Sequence, residues 1–277
     1  MPFSFLSNRS AIAFAFIFTL LSYPLAAREL AADETVAPAE TSSPPGGAVL
    51  NATDAELDGI LSPKDRANTA ERWEKEIANL ERLDRTEPDP DNAVMLLGSS
   101  SIRLWDDAAK LLTPYPVIRR GYGGARFSDL VVFARRLLSP HDYRALVVFV
   151  GNDIAGSKQD RPVEEVRKMV SYVVAVAREH QPDALILLVE VTPTPARFGV
   201  WPEIRSLNAM LREFSLTTPN VYFVPTAESY LTVDDQPRED LFREDRLHQN
   251  DAGYRVWAGL IRDRLNVVLD ASVPPKK

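Results

Sequence analysis

Five short runs rich in Val, Ile and Leu recur after residue 90, at residues 93–97, 117–118, 145–150, 185–191 and 221–224. Longer amphipathic stretches at 102–112, 128–138, 163–180, 204–215 and 252–269 separate and follow them. Runs this short and this uniformly apolar suit strands buried on both faces, whereas the intervening stretches carry the helical period. Strand and helix in strict alternation predict an α/β domain around a five-stranded, mainly parallel sheet. Sites in such sheets form beyond the carboxyl ends of the strands, so those ends are where chemistry is to be sought.

The flanks differ from this core. Ser62-Pro63 suits a helix start, and Trp73, Ile77, Leu80 and Leu83 follow at helical spacing. An extra amphipathic helix is therefore expected over 62–86, closed by Glu87-Pro88-Asp89-Pro90 and opening a domain that spans 62–270. Residues 28–61 are rich in Ala, Pro, Thr, Glu and Gly without apolar period, and are expected to form a flexible linker. Residues 1–27 carry Arg9, an apolar run from Ala11 to Leu21 and small residues at Ala26 and Ala27. This pattern predicts a cleaved export signal and a periplasmic or secreted product; an uncleaved membrane anchor is the alternative. Residues 271–277 form a tail. A formal charge of −7 argues against a nucleic-acid binder. With no cysteine and three histidines, no disulfide framework and no transition-metal set are expected, and no cofactor is required.

Four polar segments stand at candidate strand ends or before the last helix. Gly98-Ser99-Ser100-Ser101 joins a strand directly to a helix; its bland reading is a helix cap. Arg119-Arg120-Gly121-Tyr122-Gly123-Gly124-Ala125-Arg126 lets the backbone approach a ligand or simply turn tightly, and lacks the ending of a phosphate loop. Val150-Gly151-Asn152-Asp153 leaves an amide at the sheet edge, or merely ends a strand. Asp245 and His248, three residues apart, can pair so that the carboxylate fixes the imidazole tautomer. His141 falls on the amino side of a strand and His180 at a helix end, which leaves His248 as the candidate acid–base.

These segments, in this order, resemble the SGNH (GDSL-type) hydrolase superfamily over roughly residues 93–269, in particular its acetylhydrolase-like and carbohydrate-esterase-like branch. The resemblance implies a flavodoxin-like three-layer fold. It also implies Ser100 as nucleophile (Ser101 competing), Asp245 and His248 as its partners, and an oxyanion hole from Ser100, Gly124 and Asn152, with Gly123 as the alternative glycine. Three positions depart from the family pattern: Ser99 stands for the usual Asp, Arg119 for an Asn, and Val150 for a Gly. The implied activity is that of a serine esterase working through an acyl-enzyme on a small-molecule or carbohydrate ester, with a short acyl group. Acyl transfer by the same residues, or a non-catalytic carbohydrate or cell-envelope module, are the alternatives. Arg126, Arg197 and Trp201 are candidate substrate contacts, and each reads equally as a loop charge or a core contact.

Overall fold

The computed structural model describes residues 52–271. The expected export signal, linker residues 28–51 and tail residues 272–277 lie outside the described residues. The described chain runs α1 (Asp54–Ile60), α2 (Pro63–Asp84), β1 (Val94–Gly98), α3 (Ser100–Arg103), α4 (Ala108–Leu111), β2 (Val117–Gly121), α5 (Phe127–Leu138) and β3 (Ala145–Phe149). It continues through α6 (Val163–His180), β4 (Leu185–Val189), α7 (Trp201–Thr217), β5 (Val221–Val224) and α8 (Asp251–Ala271). All four strand pairings are parallel, in the order β2-β1-β3-β4-β5. This is the flavodoxin-like order, and its crossovers reverse direction between β1 and β3.

Side chains alternate across the pleat, so each strand feeds two cores. Met95, Leu97, Leu146, Val148, Ile186 and Leu188 pack under α2, α5, α6 and α7. Val94, Leu96, Val147, Leu187 and Val189 pack on the other face against α8 and the α3–α4 segment, where Trp105 and Trp257 are fully buried. Gly98 has a steric task at the end of β1: a Cβ there would lie 2.0 Å from the Phe149 carbonyl oxygen. Its absence lets the carboxyl ends of β1 and β3 close together, directly below the Ser100 and Asn152 turns.

Two expectations give way. The linker expected over 28–61 does not extend to its end, because Asp54–Ile60 is helical. Thr53 and Glu56 form a reciprocal capping box, with Thr53 N–H donating to Glu56 Oε2 at 2.8 Å and Glu56 N–H to Thr53 Oγ1 at 3.2 Å. Leu57 and Leu61 then insert into the core, while the Ala52 N–H donates to Glu179 and Arg135 donates to the Ala52 carbonyl. The helix expected over 102–112 is broken between Arg103 and Ala108. Arg119 reaches across from β2 and donates Nη1 to the Arg103 carbonyl at 2.5 Å and to Asp106 at 3.2 Å, consuming the acceptors at the end of α3. Trp105 then turns inward and stacks on Tyr254.

Helix α2 docks through Trp73 and Ile77 and through two polar clamps. Arg136 of α5 forks onto Glu74 and Glu81 at 2.7–2.9 Å. At the amino end of the sheet, Arg120 pairs with Asp84, and buried His141 meets Asp84 and Asp89. His180 meets the His141 carbonyl there. Both of these histidines thus serve the end of the sheet opposite the serine turn.

Candidate active site

Ser100 is the first residue of α3, lifted above the sheet by the turn that leaves β1. His248 Nε2 lies 2.9 Å from Ser100 Oγ, and His248 Nδ1 lies 2.7 Å from Asp245 Oδ2. Ser101, by contrast, has no hydrogen bond to His248 among the described residues; its carbonyl accepts from Tyr254. The Asp245–His248 turn is tightly built. Arg243 N–H donates to the His248 carbonyl, Arg246 N–H closes back on Arg243, and Ala196 N–H holds the Arg246 carbonyl. Arg246 takes the left-handed conformation this needs, at φ 58°. Downstream, Asn250 Oδ1 caps α8 by accepting from Ala252 and Gly253 N–H, which fixes the exit of the turn.

Asp245 is a carboxylate with every reason to stay charged. Burial would raise it, but the His248 ring and the N–H groups of His248 and Leu247 all bond its charged form and hold it at about 2. An ionised Asp245 on Nδ1 selects the tautomer whose Nε2 is bare, and that is the atom facing the Ser100 hydroxyl.

Of the three expected oxyanion donors, Ser100 and Asn152 line the cleft, whereas Gly124 is not in its lining. The backbone N–H groups of Ser100 and Gly124 have no hydrogen-bond partner among the described residues. Gly124 adjoins the Asn152 amide: a Cβ on it would lie 4.0 Å from Asn152 Nδ2. Asn152 donates from Nδ2 to the Ala125 carbonyl at 2.9 Å and accepts at Oδ1 from Arg197 Nη2 at 2.7 Å. Only two of the three glycines in this loop are taken up by packing. A Cβ at Gly121 would strike Arg103 N and Ile102, and one at Gly123 (φ 32°) would strike the Trp73 ring at 2.1 Å. Asp153 fastens this loop from beneath, accepting from the Phe127 N–H at 3.1 Å while fully buried. Burial pushes its carboxyl up to about 7 against the pull of that N–H. The sequence signalled Asp153 only as a turn residue; the distant Phe127 partner carries no local mark.

The cleft around Ser100 and His248 is lined by Phe149, Val191, Thr192, Thr194, Ile204 and Phe242. Arg197 is in this lining, and burial lowers its guanidinium below the usual range. Arg126 is not: it is the N-cap residue just before α5 and donates Nη1 to the Gln159 carbonyl. Trp201 is not either: it starts α7 and faces a separate groove with Phe198, Arg205 and Phe223. Phe242 and Val191, which do line the cleft, carried no signal in the sequence beyond being apolar. Ser99 is buried and donates its N–H to the Phe149 carbonyl at 3.1 Å. Among the described residues no group of three or more His, Asp and Glu side chains is disposed to hold a metal ion.

Comparison with known proteins bears on the family and the fold. The family model for the GDSL-like lipase/acylhydrolase family matches residues 98–256, more than half of the chain. No curated protein matches by sequence. Among solved structures, a protein of Streptococcus pneumonia provisionally assigned as a platelet activating factor superposes with TM-score 0.60 at 21% identity, covering 72% of this chain and 97% of that one. A provisionally assigned acylhydrolase of Bacteroides fragilis gives 0.59 at 22% identity, covering 72% and 96%. A GDSL-like lipase of Bacteroides thetaiotaomicron gives 0.57 at 18% identity, covering 69% and 99%. At such identities the structural likeness speaks for the fold, and the family match speaks for a hydrolase acting on ester bonds.

Proposed function

We propose, on the premise that this chain belongs to the GDSL-like lipase/acylhydrolase family, that it is a serine esterase releasing a short acyl group through an acyl-enzyme on Ser100. The observation that carries this reading is the continuous hydrogen-bonded chain Ser100–His248–Asp245 at 2.9 and 2.7 Å. His248 Nε2 takes the Ser100 proton as Oγ attacks the ester carbonyl, and Asp245 stabilises the imidazolium that results. The oxyanion then faces the N–H groups of Ser100 and Gly124 and the free proton of the Asn152 amide. One such donor is worth about 3–4 kcal/mol of barrier, or roughly 10²–10³ in rate. The imidazolium returns its proton to the departing alcohol. A water activated by the same nitrogen attacks the acyl-enzyme, and Ser100 is regenerated.

The bulky side chains of Phe149, Ile204 and Phe242 that line the cleft beside Ser100 favour a short acyl group. The cleft's lining of Ser101, Thr192, Thr194 and Gln249 beside the apolar residues suits a hydroxylated alcohol moiety, and a carbohydrate is the substrate class proposed. The test is a series of p-nitrophenyl esters from acetate to octanoate, with acetylated polysaccharide as a further substrate and labelling by an organophosphonate in parallel. The expected result is fastest turnover of the acetate, release of acetate from the polysaccharide, and labelling of the wild type but not of Ser100→Ala. Equal labelling of the two chains, or preference for octanoate, contradicts the reading.

A further inference from the structure

Among the described residues, the guanidinium of Arg197 is the one Lys or Arg head group lining the cleft, and its two bonds go to the backbone and side chain of the Gly151–Asn152 turn rather than into open space. Nη1 donates to the Gly151 carbonyl and Nη2 to Asn152 Oδ1, at 2.5 and 2.7 Å. No carboxylate pairs with it within 4.0 Å among the described residues. It comes from the 3₁₀ turn Pro195–Val200, whose Ala196 N–H also holds the Arg246 carbonyl of the histidine turn.

We propose that Arg197 is a positioning residue that fixes the Asn152 amide in its donor-inward orientation and strengthens it as an oxyanion donor. This rests on the serine-esterase reading above. A guanidinium has only donors and a carbonyl only accepts. Asn152 lies between the two, with Oδ1 on Arg197 and Nδ2 on the Ala125 carbonyl. Turning the amide over would set donor against donor at one end and acceptor against acceptor at the other, so a single orientation survives. In it, one Nδ2 proton is spent on Ala125 and the second is left for the oxyanion beside Gly124. Electron density drawn from Oδ1 by the guanidinium also makes that remaining N–H a better donor, since hydrogen bonds in series reinforce one another. The same cation pins the Gly151 carbonyl, so both the turn and the amide it carries are held by one side chain.

A residue that acts through Asn152 has nothing left to do once that amide is gone, and a double-mutant cycle reads this directly. The kinetics of p-nitrophenyl acetate hydrolysis are compared for wild type, Arg197→Met, Asn152→Ala and the double variant, with thermal unfolding of each. Arg197→Met is expected to lower kcat roughly 10–100-fold, less than the roughly 10²–10³ for outright loss of an oxyanion-hole donor, with KM changed less than about two-fold, as for an interaction made only in the transition state. In the Asn152→Ala background the same substitution is expected to cost less than about three-fold, the non-additivity of residues acting as a unit. Arg197→Lys keeps the charge and reaches one of the two acceptors, so its kcat should fall between wild type and Arg197→Met. That variant also carries the cycle if the methionine variant does not fold. Losses that multiply across the cycle, or a rise in KM with kcat intact, overturn the proposal and make Arg197 a substrate contact. A Ser100→Ala chain run beside them separates the two claims. If it still turns over, the esterase reading fails; if it is inactive and the cycle multiplies, only the role of Arg197 fails.

Discussion

Asp245 and Asp153 sit in the same site and are driven in opposite directions by their surroundings. Three N–H donors bond the charged form of Asp245 and hold it at about 2, so it is ionised throughout the neutral range. Its stabilising effect is present above its ordinary value of 3.8 and is lost as pH falls through 2. Asp153 has one backbone N–H and full burial, and rises from 3.8 to about 7. The folded chain therefore holds a proton that the unfolded chain has released between these two values, and Asp153 costs stability as pH rises through that window. Asp153→Asn keeps an acceptor for the Phe127 N–H and removes the charge. Urea unfolding at pH 5 and pH 8 should show the wild type losing more stability over that interval than the variant; equal slopes would contradict the burial argument. At this scale the sequence was most legible where few alternatives existed. With three histidines and one Asp-x-x-His pair, His248 could be singled out, whereas Arg197 was legible only as a candidate substrate contact, because its hydrogen-bond partners are 45 and 46 residues away.

Helix α2 and the glycine loop depend on each other. Trp73 packs against Tyr122 at 5.4 Å between ring centroids and fills the space beneath Gly123, where any side chain would collide with it. The added helix is thus a buttress for the loop that presents Gly124 to Asn152. Gly123→Ala forces either the ring or the loop to move, and also strains a positive φ. The expected cost is about 1–3 kcal/mol of stability and roughly 10–100-fold in kcat, since a displacement near 1 Å is enough to misplace a catalytic donor. Thermal unfolding and p-nitrophenyl acetate kinetics measure both; unchanged kcat would detach α2 from the site. Strand positions and the longer helices were readable because apolar period determines them. The break between α3 and α4 was not, because Arg119 ends α3 from another strand and Trp105 is drawn inward by Tyr254 and Trp257.

The molecule as a whole places its site at the reversal between β1 and β3, where the turn to Ser100 and the turn to Asn152 emerge side by side. The last turn before α8 swings His248 over them from the helical layer that also holds α3 and α4. The order of the segments made this arrangement legible before any coordinates, since each falls after a strand or before the final helix. The folded part begins some ten residues before the expected start at residue 62. Composition around Ala52–Leu61 looks like linker, and the Thr53–Glu56 capping box together with the contacts of Leu57 and Leu61 with the core makes it a helix. A chain beginning at residue 62 should accordingly be less stable than one beginning at residue 52 by about 3 kcal/mol or more, the scale of burying two leucines. Chemical denaturation of the two chains measures this, and equal stability would show α1 to be an ornament.

The central claim is that the acyl group passes through Ser100. Mixing the protein with p-nitrophenyl acetate, quenching in acid within the first turnover and mapping the peptides by mass spectrometry tests it most directly. The account predicts one acetyl group on the peptide carrying Ser100, and none in the Ser100→Ala chain. An acetyl group on another residue, or wild-type turnover by Ser100→Ala, would contradict it.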